Sequence, residues 1–156
     1  MAASVRERIS EWLRTEVAKI SGVTALRPKR VFWVEELTKD LTAVIRQRSC
    51  RIVHADATDL AFEQEYKITI AVIDRDTATT ALDTRINLVM ASVVKAMAAD
   101  PSCGGLADSN GMVLEEIVSL QEDSSEPLAP GVTGESLLLR VHFSTLKTDL
   151  STAGGV

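Results

Sequence analysis

The sequence predicts an α+β domain in which two helices pack on one face of a mainly antiparallel sheet of four to five strands. Three observations point there. Apolar residues recur at helical spacing in two separated stretches, they alternate at strand spacing in several others, and the order along the chain is helix, two or three strands, helix, two strands. At 156 residues, 46% of them apolar and 25% charged, the chain fits one domain that can bury a core without disulfide staples.

Val5, Ile9, Leu13, Val17 and Ile20 form one apolar stripe over residues 4–20, with Trp12 beside it. Ser4 is placed to cap this helix, Glu7 to complete a capping box, and Ser21-Gly22 to end it. After a loop at 26–30, the β-branched and aromatic run Val31, Phe32, Trp33, Val34 reads as a short strand. Leu41, Ala43 and Ile45 alternate with Thr42, Val44 and Arg46, and Cys50, Ile52 and His54 with Arg51, Val53 and Ala55, which gives one strand or two short ones over 41–55. A polar turn at 55–59 follows. Tyr66, Ile68, Ile70 and Val72 then fall on one strand face, with Lys67, Thr69, Ala71 and Ile73 on the other.

The period next becomes helical over 77–99, through Leu82, Ile86, Val89, Val93 and Met97, with Asp76 or Thr77 as cap and Asp100-Pro101 as stop. Residues 113–120 read as a strand, and Leu137, Leu139, Val141 and Phe143 alternate with Leu138, Arg140, His142 and Ser144 in a last one. Between them, residues 121–134 form a polar connection longer than most hairpin loops. A single domain is expected over 1–149, followed by a flexible tail at 150–156.

Several function classes find little support. The N-terminus is charged throughout and no apolar run approaches the ~20 residues of a membrane span, so a soluble protein without a signal peptide is expected. Cys50 and Cys103 lack CxxC spacing and read as free thiols of a reducing cytosol. His54 and His142 are far apart and belong to no HExxH or cysteine cluster. Neither a GxSxG elbow nor a glycine-rich loop opening a helix occurs, and the glycines of 100–111 follow a helix instead. The aromatics are too scattered for a base-stacking platform. Asp74, Asp76 and Asp83 are the residues a small Mg²⁺-dependent enzyme would use, although capping is the simpler role for the first two. No enzyme and no cofactor is expected.

Charge carries more information. Residues 1–51 hold 11 Lys or Arg against 6 acids, whereas residues 52–156 hold 6 against 16. With a pI near 5.1, sequence-specific binding of duplex DNA is disfavoured. A basic stretch (Arg46, Arg48 and Arg51, with Arg27, Lys29 and Arg30 upstream) and an acidic one (Glu115, Glu116, Glu122, Asp123 and Glu126) suggest that one subunit's basic face meets its neighbour's acidic face. These eight residues, Arg46, Arg48, Arg51, Glu115, Glu116, Glu122, Asp123 and Glu126, are the candidate interface.

The layout resembles the tail terminator (minor tail protein) family of long-tailed bacteriophages. The resemblance rests on the N-terminal helix, a basic loop reaching LTAVIR at 41–46, the strand EYKITIAVIDRD at 65–76, the helix beginning TATTALDTRINLVMASVVKAM, the stop DPSCGGLADS at 100–109 and the strand SLLLRVHFSTLKTD at 136–149. Thr42 stands where that family usually has proline. The resemblance implies a ring of six subunits at the tail–neck junction of a virion, assembled in the host cytoplasm. It would cap the completed tail tube, end its polymerisation and join the head connector, with DNA passing through the ring. The loop at 121–134 and the turn near 55–63 are then expected to contact the tube or neighbouring subunits. A head-completion or neck protein is the neighbouring alternative.

Overall fold

The structure is a computed structural model that describes residues 3–27, 40–74, 79–120 and 132–154. Its elements run α1 (Val5–Ala18), β1 (Val23–Leu26), β2 (Leu41–Ala55), β3 (Asp59–Ile73), α2 (Thr79–Ala99), β4 (Met112–Ser119), β5 (Val132–Leu146) and β6 (Asp149–Ala153). The sheet order is β1-β2-β3-β5-β4, with β6 also bonded to β5. The expected α+β class and the mainly antiparallel sheet are both present; among the described residues the sheet has six strands, close to the expected four to five, and only β1 and β2 pair in parallel.

Both helices lie on one face. Val5, Ile9, Leu13 and Val17 of α1 and Leu82, Ile86, Met90, Val93 and Met97 of α2 share one core cluster with Tyr66, Ile68 and Ile70 of β3 and Leu137, Leu139, Val141 and Phe143 of β5. Each such side chain contributes about 1.5–3 kcal/mol by leaving water. The stripe of α2 runs through Met90, leaving Val89 at its margin. Trp12 packs half-buried against the turn at Gly104, and Phe143 stacks on Phe62 with centroids 5.1 Å apart. A second, smaller cluster of Val44, Ala71, Leu120 and Val132 lies apart from the helices. Cys50 is half-buried and Cys103 buried, both as free thiols.

Local chemistry explains the ends. Ser4 caps α1 by accepting from Glu7 N at 3.1 Å, as expected, but the Glu7 carboxylate binds Arg27 instead of turning back to complete the box. Gly22, at φ +80°, turns the chain into β1, a strand to which the sequence pattern assigns only its last residue, Leu26, as the start of a loop. Asp56 holds the β2–β3 turn by accepting from Thr58 N at 2.8 Å and Asp59 N at 2.7 Å. Asp100 stops α2 in the same manner, accepting from Ser102 N at 3.2 Å and Gly104 N at 3.0 Å.

One alternative is settled and one expectation changes. Residues 41–55 form one strand, bent by register shifts at Gln47/Cys50 and Ile52/His54. The expected flexible tail at 150–156 is β6 as far as Ala153, because the Asp149 carboxylate accepts from Ser151 N at 3.0 Å and Thr152 Oγ1 at 2.7 Å and folds the chain back on β5. The expected strand at 31–34, the caps Asp76 and Thr77, and most of the connection at 121–134 lie outside the described residues.

Candidate functional site

Strand alternation sorts the charged residues. On β3 the even positions Tyr66, Ile68 and Ile70 face the helices, so Glu63, Glu65 and Lys67 take the other face. Register then sets their neighbours. Glu63 pairs with Arg51 of β2 on one side and His142 of β5 on the other, while Glu65 pairs with Arg140.

The result is a band of alternating charge across the helix-free face. Arg51 Nη2 lies 3.2 Å from Glu63 Oε2; Arg140 bonds Glu63 through Nη1, lies 3.5 Å from Glu65 Oε1, and bonds Glu115 of β4 through Nε at 2.6 Å. His142 Nε2 stands 3.6 Å from Glu63 Oε2, and its Nδ1 is 3.2 Å from Gly111 O. Only 8% of Glu63 is exposed, so its charge depends on these partners. Burial pushes its carboxyl upward, but the Arg51 and Arg140 guanidinium groups outweigh that and hold it below the ordinary range. The Arg140 guanidinium is in turn held more firmly protonated, first by Glu115 and then by Glu63.

The structure therefore places the described sequence-derived candidates in two groups. Arg46, Arg48 and Arg51 lie on β2 near one edge of the sheet, and Glu115 and Glu116 on β4 at the opposite edge. Arg51 and Glu115 are engaged within their own chain, through Glu63 and Arg140 respectively. Arg48 and Glu116 are exposed. Glu122, Asp123 and Glu126, like Lys29 and Arg30, lie outside the described residues, and Arg27 belongs to the α1 side through Glu7. Sequence reading did not single out Glu63, Glu65 or Arg140, and weighed His142 only as a metal ligand. Their alternation with apolar neighbours was the available signal, but only register reveals what they oppose.

Both edges are open among the described residues. β1 pairs with β2 only over Leu41 to Val44, leaving residues 45–55 bonded on the β3 side alone, and β4 bonds only β5. Of six exposed large apolar side chains among the described residues, four lie on these edges: Ile52 at 56% and Val53 at 47% exposed on β2, and Val113 at 46% and Ile117 at 48% on β4. A depression of about 290 Å³ lies between Val94 of α2 and Leu114, Glu116 and Ile117 of β4.

The residues considered for metal chemistry are dispersed. Asp74 follows β3 and has a polar interaction, Asp83 is exposed on α2, and Asp76 lies outside the described residues. His54 is exposed on β2. Among the described residues, no three His, Cys, Asp or Glu side chains are grouped to hold a metal ion, and no helix is long and apolar enough to cross a membrane. No protein-family model matches this chain, and no curated protein matches it.

Proposed function

We propose that this chain is a structural subunit that assembles with copies of itself into a ring, caps the completed tail tube of a long-tailed phage, ends its growth and offers the joining surface to the head connector. The observation that carries self-assembly is the pair of edges, open among the described residues, on one sheet, one lined by arginines and the other by glutamates. Open edges invite further strands, and opposite charge selects which edge meets which. The assignment to tails rests on the motif resemblance, and the element order that carries it, helix, strands, helix, strands, is the order of the fold. On this reading the protein needs no cofactor or reaction, sits at the tail–neck junction, and lets DNA pass through the ring without reading its sequence.

The test is negative-stain imaging of the purified protein, alone and mixed with tail tubes. Rings alone and rings seated on tube ends are expected. Rings that bind portal complexes but ignore tubes would move the protein to the neck, and particles that remain single subunits would overturn the reading.

A further inference from the structure

We infer that neighbouring copies join edge to edge: β2 of one subunit lies antiparallel beside β4 of the next, so that the sheet continues from copy to copy. The inference rests on the reading that this chain assembles with itself, and adds which surfaces meet and in what register.

Direction comes from the pairing pattern. β2 runs opposite to β3, β3 opposite to β5 and β5 opposite to β4, so β2 and β4 are antiparallel within one chain. Copies related by rotation about an axis along the strands therefore present β4 antiparallel to the next β2. Level comes from the same pairings. Arg46 aligns with Lys67, Lys67 with Leu138, and Leu138 with Glu116; Gln47 aligns through Tyr66 and Leu139 with Leu114. Without any slide along the strands, residues 45–50 of one copy thus face residues 112–117 of the next, and the open backbone of each edge lies at the level of the other.

Charge selects this joint over its rivals. Two β2 edges would bring arginines together and two β4 edges would bring glutamates together, and such like-charge contact is costly. Only the unlike edges attract, which makes the contact heterologous and able to close into a ring. Glu116 lies level with Arg46, which keeps an interaction of its own, and Arg48, between the levels of Leu114 and Met112, reaches it along the diagonal; Glu115 is held by Arg140, so the inter-subunit attraction falls chiefly to Glu116 with these two arginines. The exposed side chains of Val113 and Ile117 add apolar area on the same edge.

Two experiments test this together. Replacing Arg46→Cys and Glu116→Cys in one chain, with Cys50→Ser, places thiols that are roughly 14 Å apart within a subunit, three inter-strand spacings, and too far for an internal disulfide. Between subunits they would be opposed. Mild oxidation should then give a ladder of covalent oligomers on a non-reducing gel, while light scattering shows the same assembly before oxidation. In parallel, Arg48→Glu and Glu116→Arg should each weaken self-association at least about tenfold, and the two in one chain should restore it. Oligomers that form without the ladder and ignore the charge exchange would overturn the edge-to-edge joint while leaving the ring reading standing. A monomer at every concentration would overturn both.

Discussion

Tyr66 is fully buried where α1 crosses the sheet, and its hydroxyl lies 3.0 Å from Ser10 Oγ and 3.3 Å from Arg6 O. Ser10 Oγ also lies 3.1 Å from Arg6 O and accepts from Gln47 Nε2 at 2.6 Å. One arrangement of protons satisfies all of these groups: Gln47 and Tyr66 both donate to Ser10, and Ser10 donates to Arg6 O. Tyr66→Phe removes one donor and leaves Ser10 with its other two bonds, so the loss is about 1 kcal/mol. Ser10→Ala removes the hub, strands the Gln47 amide and leaves the phenol only its longer contact to Arg6 O, so the loss is about 2–3 kcal/mol. The smaller side chain should thus be the costlier deletion. Urea titration reads both as shifts in midpoint at constant slope. The double variant should cost less than the two losses added, because the bond between Tyr66 and Ser10 is counted in each. Equal costs, or strict additivity, would refute the shared-hub account.

Two further outcomes are expected. Gly134 stands opposite Ala71, and a Cβ there would collide with Ile70 O and come within 3.0 Å of Ala71 Cα, so Gly134→Ala should destabilise by about 1–3 kcal/mol in thermal unfolding while an exposed change such as Asn87→Ala costs little. The pH profile should separate two carboxylates of opposite sign. Glu63, held below its ordinary range, contributes stability above that range and loses it as pH falls; Glu135, pushed up first by burial and then by Asp83, favours the folded state only while protonated and opposes it as pH rises. Glu63→Gln should therefore lower the melting temperature near neutral pH, and Glu135→Gln should raise it there, both effects fading in acid; identical signs at neutral pH would contradict these environments.

The parts of the fold that could be read in advance are those where period and burial coincide. The α1 stripe of Val5, Ile9, Leu13 and Val17, the β3 face of Tyr66, Ile68 and Ile70, and most of the α2 stripe are all buried as the spacing implied. Extent was harder. β3 begins at Asp59, well before its clear alternation, because Glu63, Gln64 and Glu65 look like turn residues until their cross-strand partners are known, and β5 begins at Val132, inside the stretch read as a polar connection. β1 has only four residues and owes its place to its parallel neighbour, and β6 follows from the Asp149 turn. Arg48 and Glu116 could be singled out by charge alone, yet nothing local shows that Arg140 takes up Glu115, since that contact depends on how β4 and β5 align.

The two bulges in β2 bear on how subunits would accumulate. They cut its outer edge into short runs of regular backbone, so a strand arriving from outside finds only a few residues to bond before the spacing fails. Each joint formed there is weak when taken singly. In the proposed ring, an open row of n subunits would have n − 1 joints and closing the circle would add another without recruiting a further molecule, so complete circles would outlast partial arcs. On that proposal, a scaffold that gathers subunits around its rim would do the work of high concentration.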